Sequence, residues 1–215
     1  MKKPASLILI LIICQFAVLA QDPERFEKQV QEINTDFPHD EHAGAILFTG
    51  SSSVRMWRDL PEDFPDHQIV NAGFGGSHAS DLLYYIDELI LDYQPKKVFI
   101  YEGDNDIAAG KDAQKIIETL NLIVTQIQLK LPDSQIILIS AKPSIARWEL
   151  AEQYVALNQE MKTYSVVKEN VSYADVWTKM LDEDNKPFTD IFLEDNLHMN
   201  RKGYDIWKEV IQEFL

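Results

Sequence analysis

The stretch LFTGSSSVRMW, from Leu47 to Trp57, joins an apolar run to a glycine and three consecutive serines. An uninterrupted apolar run is typical of a strand that is buried on both faces of a parallel sheet. Serines beside a glycine favour a turn or a helix start, because their hydroxyl groups compete for backbone hydrogen bonds. The stretch therefore predicts a strand, a tight turn and a helix. It leaves open whether one serine does more than cap that helix.

Similar apolar runs recur along the chain and alternate with longer helical patterns. The segments predicted as strands are 45–48, 68–70, 96–101, 135–140 and 171–176. The segments predicted as helices are 22–37, 80–93, 113–131, 150–167 and 202–214. This alternation predicts a doubly wound α/β domain, a three-layer α/β/α sandwich with about five parallel strands. Ligand sites in such sheets form in the loops at the carboxyl ends of the strands.

The first twenty residues show a different pattern. Lys2 and Lys3 precede an apolar stretch, 7–20, that is broken by one glutamine and ends in a small residue. Basic, apolar and small residues in this order are typical of a secretory signal. We predict cleavage after Ala20, a single mature domain over 21–215, and export to the periplasm or the outside of the cell.

Two other interpretations of segment 1–20 stay open. It could remain as an uncleaved membrane anchor, although an apolar run of about 14 residues is short for a membrane span. A lipoprotein signal ending at Cys14 is disfavoured, because the preceding Ile13 is large. Cys14 is the only cysteine, so a cleaved protein could form no disulfide.

The composition is ordinary for a globular protein but strongly acidic. The chain is 46% hydrophobic and carries 20 basic and 35 acidic residues, a net charge of −15. Loss of segment 1–20 would leave 18 basic residues and a charge of −17. Such a surface repels nucleic acids and anionic membranes, so we expect neither as a partner and no stable membrane span after cleavage. The composition does not predict an oligomeric state.

Residues suited to nucleophilic catalysis collect in the predicted loops. Ser52 lies at the turn after the first strand, and a serine hydroxyl needs a base and an orienting partner for that base. Asp195 and His198, three residues apart near the C-terminus, supply that pair of groups. The Gly76 N–H and the Asn105 side chain could stabilise an oxyanion.

Each of these residues also has an ordinary structural interpretation. The serines could only cap a helix, the glycines could only form a turn, and Asn105 could be a loop residue. Asp195 and His198 could cap the last helix. The four motifs together, in one order along the chain, favour a catalytic site over four coincidences.

Four short motifs resemble those of the GDSL-type SGNH hydrolases, most closely the platelet-activating-factor acetylhydrolase-like branch and bacterial carbohydrate acetylesterases. The resemblance extends from about Ala45 to the C-terminus. Gly50-Ser51-Ser52 is similar to the Gly-Asp-Ser motif of the family, with Ser51 in place of its aspartate. The other matching motifs are NAGFGGS at 71–77, GDND at 103–106 and DNLH at 195–198.

The resemblance implies a flavodoxin-like SGNH hydrolase fold and a role for each matched residue. Ser52 would be the nucleophile, His198 the general base and Asp195 its orienting acid. The N–H groups of Ser52 and Gly76 and the side chain of Asn105 would form the oxyanion hole. Neither a metal ion nor an organic cofactor is implied.

Three further residues are assigned to a substrate pocket. Arg147 and Trp148 end the run PSIARW after the fourth predicted strand, where related esterases have a similar run. A packed surface tryptophan is the alternative for Trp148. His78 follows the second motif closely and could lie on the rim of the site.

We therefore predict an exported serine esterase that acts on small acyl esters, most simply O-acetyl groups of a carbohydrate. The chain has no insertion long enough to cover a deep channel, which favours a shallow site. A lipid or thioester acylhydrolase of the same family is one alternative. A non-catalytic flavodoxin-like or glycan-binding module is another, although the lysine pattern of a phosphate-binding loop is missing.

Overall fold

The computed structural model describes residues 22–215, so the predicted signal peptide, its cleavage point and Cys14 lie outside the described residues. Five strands form one parallel sheet in the order β2-β1-β3-β4-β5. The strands are β1 Ile46–Gly50, β2 Ile69–Gly73, β3 Lys97–Tyr101, β4 Gln135–Ile139 and β5 Val171–Ala174. Each predicted strand overlaps one of them, and the predicted parallel sheet is confirmed.

Helices connect the strands and cover both faces of the sheet. The α-helices are α1 Glu27–Asp36, α2 Ser52–Arg55, α3 Leu60–Asp63, α4 Ala79–Tyr84, α5 Ile86–Leu89, α6 Asp104–Ala108, α7 Ala113–Lys130, α8 Ala151–Val167, α9 Val176–Lys179 and α10 Arg201–Ile211. Short 3-10 helices span Pro23–Phe26, Leu91–Tyr93, Trp148–Leu150 and Gln212–Phe214. No helix within 22–215 is long and apolar enough to cross a membrane.

Each face of the sheet has its own apolar core, because neighbouring strand residues point to opposite sides. Leu47 and Val98 pack in the core that includes α1, α7 and α8. Phe48 and Phe99 pack in the core that includes α10, and their rings stack with centroids 4.3 Å apart. Burial on both faces explains the continuous apolar runs and confirms the three-layer α/β/α architecture.

The predicted helix 80–93 is wrong as a single element. The structure divides it into α4, α5 and the 3-10 helix Leu91–Tyr93, with non-helical backbone at Tyr85 and Ile90. Tyr85, Ile90 and Tyr93 are all buried, and the Tyr85 hydroxyl donates to the Pro23 carbonyl. The buried apolar residues still lie on one helical stripe, so the breaks leave the buried face in place; its members are Leu82, Tyr85, Ile86, Leu89, Ile90 and Tyr93.

The strand order places the serine loop between the loops that follow β2 and β3 at the carboxyl edge of the sheet. Gly50, the last residue of β1, pairs with Gly73 on one side and Tyr101 on the other. Gly50 has a φ of +122°, and a Cβ there would lie 2.0 Å from the Tyr101 carbonyl oxygen. Only glycine allows this approach, which brings the loops after β1, β2 and β3 together.

Candidate active site

The three consecutive serines have three different environments. Ser51 is the N-cap of α2, and its Oγ accepts a hydrogen bond from the Ser52 N–H at 2.7 Å. Ser52 is the first residue of α2, and its Oγ lies 2.9 Å from His198 Nε2. Ser53 is buried, and its carbonyl accepts from the Tyr204 hydroxyl. Ser51 therefore caps the helix, as its ordinary structural interpretation predicts, while the Ser52 hydroxyl contacts a histidine.

Asp195 and His198 lie in the loop before α10 and face Ser52. The Asp195 Oδ2 is 2.6 Å from His198 Nδ1, and its Oδ1 accepts from the N–H groups of Leu197 and His198 at 2.9 Å. With the ring proton on Nδ1, Nε2 can accept from the Ser52 hydroxyl. These side chains do not cap α10, because Asn200 does so by accepting from its first N–H groups. The structure thus brings the three predicted catalytic side chains into one hydrogen-bonded line.

The environment of Asp195 favours its ionised form. Partial burial opposes ionisation, but hydrogen bonds from the His198 ring and from the N–H groups of Leu197 and His198 outweigh it and lower the Asp195 pKa to about 2. A carboxylate that accepts several N–H bonds is stabilised as the anion. Asp195 is therefore a permanent negative charge beside His198 throughout the neutral pH range.

Asn105, the second residue of α6, is held by contacts at both ends of its amide. Its Nδ2 donates to the Ser51 Oγ and to the Ser77 carbonyl, both at 2.9 Å, and its Oδ1 accepts from Arg147 Nη2 at 3.1 Å. Ser51 Oγ therefore receives both the Asn105 amide and the Ser52 N–H. Two of the predicted oxyanion donors converge on one oxygen atom beside the nucleophile.

Gly76, the third predicted oxyanion donor, lies in the exposed part of the loop after β2. It has a φ of +84°, and an added Cβ would meet nothing within 4 Å. Backbone in this region favours glycine, so the conformation rather than crowding accounts for the residue type. The N–H of the preceding Gly75 donates to Gln29 Oε1 at 2.8 Å.

A buried ionic cluster, which the sequence did not reveal, lies behind Asn105. Asp104 Oδ1 accepts from Arg147 Nη1 at 2.5 Å and from the Tyr154 hydroxyl at 2.6 Å, and Oδ2 accepts from the Tyr101 hydroxyl at 2.8 Å. Burial alone would raise the pKa of Asp104, but the charges of Lys142 and Arg147 outweigh it and keep the pKa below its usual value. Arg147 therefore joins this cluster to the Asn105 amide.

Lys142 connects the same cluster to the loop of Asp195 and His198. Its side chain is only 1% exposed, and its Nζ lies 3.8 Å from Asp104 Oδ2 and donates to the Leu197 carbonyl at 2.7 Å. Burial lowers the pKa of this lysine. Lys142 lies three residues after the end of β4, and nothing in its spacing along the chain indicates these contacts.

We expect Lys142→Met to reduce kcat by about tenfold, because the Leu197 carbonyl loses the donor that fixes the loop and misplaced catalytic groups lose rate steeply. The melting temperature should also fall, since Asp104 loses one of its buried cations. Ester-hydrolysis kinetics and thermal unfolding measure both effects. Lys202→Met is the matched control, because Lys202 forms only an exposed pair with Asp190. Wild-type kcat in Lys142→Met would contradict this role.

A buried carboxyl group supports Asn105 from the other side. Glu102 is fully buried, and its Oε1 accepts from the Ser77 hydroxyl at 2.6 Å. Burial, together with the nearby charge of Asp106, raises the Glu102 pKa well above its usual value. The neutral form is therefore favoured, and Glu102 acts on the site through Ser77, whose carbonyl contacts Asn105.

His78 and Trp148 differ in their relation to the site surface. His78 is buried at the start of α4, with Nδ1 3.4 Å from Asp106 Oδ1, so it lies beneath the loop rather than on its rim. Trp148 is half-buried and stacks on Trp177 with ring centroids 5.9 Å apart. Lys186 Nζ lies 5.0 Å from the Trp148 ring. Trp148 therefore packs on the protein surface, which is the alternative considered for it above. Of the three residues assigned to the pocket, Arg147 is the one that contacts Asn105.

The fold and the loop motifs define an SGNH-type α/β hydrolase. The model of the GDSL-like lipase/acylhydrolase family matches residues 41–206, and the chain belongs to this family of ester hydrolases. Among curated protein sequences, none matches the chain.

Solved structures of related architecture share the whole fold. A Streptococcus pneumoniae protein provisionally described as a platelet activating factor superposes with a TM-score of 0.77 and 23% identity, over 89% of this chain and 94% of that one. A GDSL-like lipase from Bacteroides thetaiotaomicron gives 0.73 and 19%, over 90% and 96%. A catalytic mutant of an acetylxylan esterase from Geobacillus stearothermophilus gives 0.66 and 16%, over 80% and 94%. At these sequence identities, the structural similarities establish only that the fold is shared.

Proposed function

We propose that this protein is an exported serine esterase that removes small acyl groups, O-acetyl groups above all, from a carbohydrate. The observation that carries the proposal is the hydrogen-bonded line from Ser52 Oγ through His198 to Asp195. A serine hydroxyl in contact with an oriented histidine is the arrangement that activates it as a nucleophile.

The proposed reaction has two steps. Ser52 Oγ attacks the ester carbonyl while His198 Nε2 takes its proton, and the tetrahedral intermediate collapses as His198 returns the proton to the leaving alcohol. Water then attacks the acyl-enzyme in the same way and releases the acid and free Ser52. Asp195 stabilises the imidazolium form of His198 in each step.

The oxyanion of each intermediate would be held by the N–H groups of Ser52 and Gly76 and by Asn105 Nδ2. Two of these donors contact Ser51 Oγ in the structure, so they are already oriented toward a shared acceptor. Donors oriented before the reaction cost no reorganisation when charge develops. When the oxyanion forms, it would accept hydrogen bonds from the Ser52 N–H and from Asn105 Nδ2. It would do so either in place of Ser51 Oγ or together with it.

The openness of the site supports a small acyl group on a bulky alcohol. The Asp195 side chain is 46% exposed and that of His198 is 23% exposed, so the base lies at the protein surface. A surface site can accept a large sugar as the leaving group, and a small acyl group needs no deep apolar channel. The acetylxylan esterase among the structural neighbours is a distant precedent for this substrate class.

We expect kcat/KM to be highest on acetyl esters and to fall steeply by about hexanoyl. A deep apolar channel would gain about 0.8 kcal/mol for each buried methylene, so a true lipase improves with chain length. The measurement is hydrolysis of p-nitrophenyl acetate, butyrate, hexanoate and octanoate, followed by release of acetate from acetylated sugars. An increase from acetyl to octanoyl would contradict the acetylesterase proposal and favour a lipid acylhydrolase.

A further inference from the structure

We infer that Gln29 of α1 is a positioning residue for the oxyanion hole, an inference that rests on the proposed esterase function. α1 precedes residues 41–206, the region matched by the family model. Its side chains nevertheless reach the loop after β2, which carries Gly75 and Gly76. α1 therefore lies outside the residues that the family model matches, and it contacts the loop that carries the proposed oxyanion donor.

The central contact is a single hydrogen bond to the loop after β2. Gln29 Oε1 accepts from the Gly75 N–H at 2.8 Å. Fixing this N–H sets the orientation of the Phe74–Gly75 peptide plane, immediately before the peptide that carries the Gly76 N–H. Adjacent glycines have wide conformational freedom, and a Cβ added at Gly76 would meet nothing within 4 Å. The Gln29 side chain therefore restrains a loop whose own glycines would allow many backbone conformations.

Two contacts from the turn before α1 hold the loop on either side of the glycine pair. The Phe26 ring meets the Phe74 ring edge to face, with centroids 5.1 Å apart. Arg25 Nη2 lies 2.9 Å from Asp81 Oδ2, the same oxygen that accepts the His78 N–H at 2.9 Å. These contacts keep the start of α4 in place, so Gln29 acts on a short segment fixed at both ends.

The consequence for catalysis follows from the position of Gly76. An oxyanion donor must stand at the place where charge develops, and losing one such donor costs about 100- to 1,000-fold in kcat. Releasing the Gly75 N–H would not remove the Gly76 donor but would let it move. We therefore expect a partial loss that falls on kcat rather than on substrate binding.

Three variants test whether the hydrogen-bond acceptor of Gln29, rather than the size of its side chain, affects catalysis. Gln29→Met keeps the length but removes the acceptor, and kcat on p-nitrophenyl acetate should fall about tenfold with KM within about twofold. Gln29→Glu keeps an acceptor and should stay within about threefold of the wild-type rate. The Arg55 guanidinium lies over Gly75 and offsets the added charge. Gln31→Ala is the matched control, since the Gln31 side chain donates to the exposed Glu27 on the same helix and not to the loop after β2.

Amide exchange measured by NMR gives a readout that does not depend on activity. The Gly75 N–H should exchange faster in Gln29→Met than in the wild-type protein, and no faster in Gln31→Ala. A Gln29→Glu variant as slow in turnover as Gln29→Met, or unchanged exchange in Gln29→Met, would overturn the positioning role while leaving an active esterase. An inactive wild-type protein with faster exchange in Gln29→Met would overturn the proposed function and leave the loop contact standing.

Discussion

Ser52→Ala is expected to abolish ester hydrolysis while the fold survives. The variant removes the only atom that contacts His198 Nε2 in the described hydrogen bonds, and loss of an activated serine typically costs about 10⁶-fold in kcat. The measurements are p-nitrophenyl acetate kinetics and mass spectrometry after treatment with a fluorophosphonate. The wild-type protein should gain one stable adduct on Ser52, and the variant should gain none.

The neighbouring serines provide the controls for this experiment. Ser53→Ala should retain turnover, because the Ser53 backbone rather than its side chain contacts Tyr204. Ser51→Ala should also retain measurable turnover, although it removes the oxygen on which Asn105 and the Ser52 N–H converge. An inactive Ser51→Ala beside an active Ser52→Ala would show that the nucleophile is the preceding serine.

Asp195→Asn is expected to lower kcat/KM by about 10⁴-fold, the loss seen when the acid of such a triad becomes an amide. An amide at this position can donate to His198 Nδ1, which favours the tautomer with the proton on Nε2 and blocks acceptance from Ser52. The variant also loses the negative charge that stabilises the imidazolium. Steady-state kinetics on a neutral ester measure the effect, and near wild-type rates would exclude Asp195 from the triad.

The activity of the wild-type protein should depend on pH in a defined way. The Asp195 pKa is lowered to about 2, so this carboxylate stays ionised as the pH falls from neutral to about 4. Loss of activity over that range must then come from protonation of another group, and histidine is the side chain that ordinarily changes charge there. We expect kcat/KM of the wild-type protein to rise through one acid-side ionisation and level near neutral pH.

The sequence predicted those parts of the site that depend on local pattern. Ser52, Gly76 and Asn105 each follow a strand, and parallel strands end at one edge, so these three residues could be placed together from the order of elements. His198 was assigned to the same site by its motif before the last helix. Lys142, Glu102 and Gln29 could not be predicted, because each acts through a contact with a loop distant in the chain. A lone lysine, glutamate or glutamine carries no spacing signal for such a contact.

The division of the predicted helix 80–93 into shorter elements also depends on contacts between residues distant in the chain. Its apolar residues fit a helical stripe, and the local pattern contains no proline or glycine to interrupt it. At the first break, the Tyr85 hydroxyl donates to the Pro23 carbonyl, a contact that only the folded chain supplies. Tertiary contacts therefore decided a feature for which local propensity had the opposite preference.

The proposed nucleophile and base lie 146 residues apart in the chain, one after the first strand and the other just before the last helix. Ser52 therefore acquires its base only when the final segment has been synthesised and α10 has packed against the sheet. Trp207 of α10 is fully buried, and Arg201 pairs with Asp63 of α3 at 2.6 Å. A chain still emerging from the ribosome, or not yet folded during the export proposed above, would carry an unactivated serine, so hydrolysis would begin only where folding is completed.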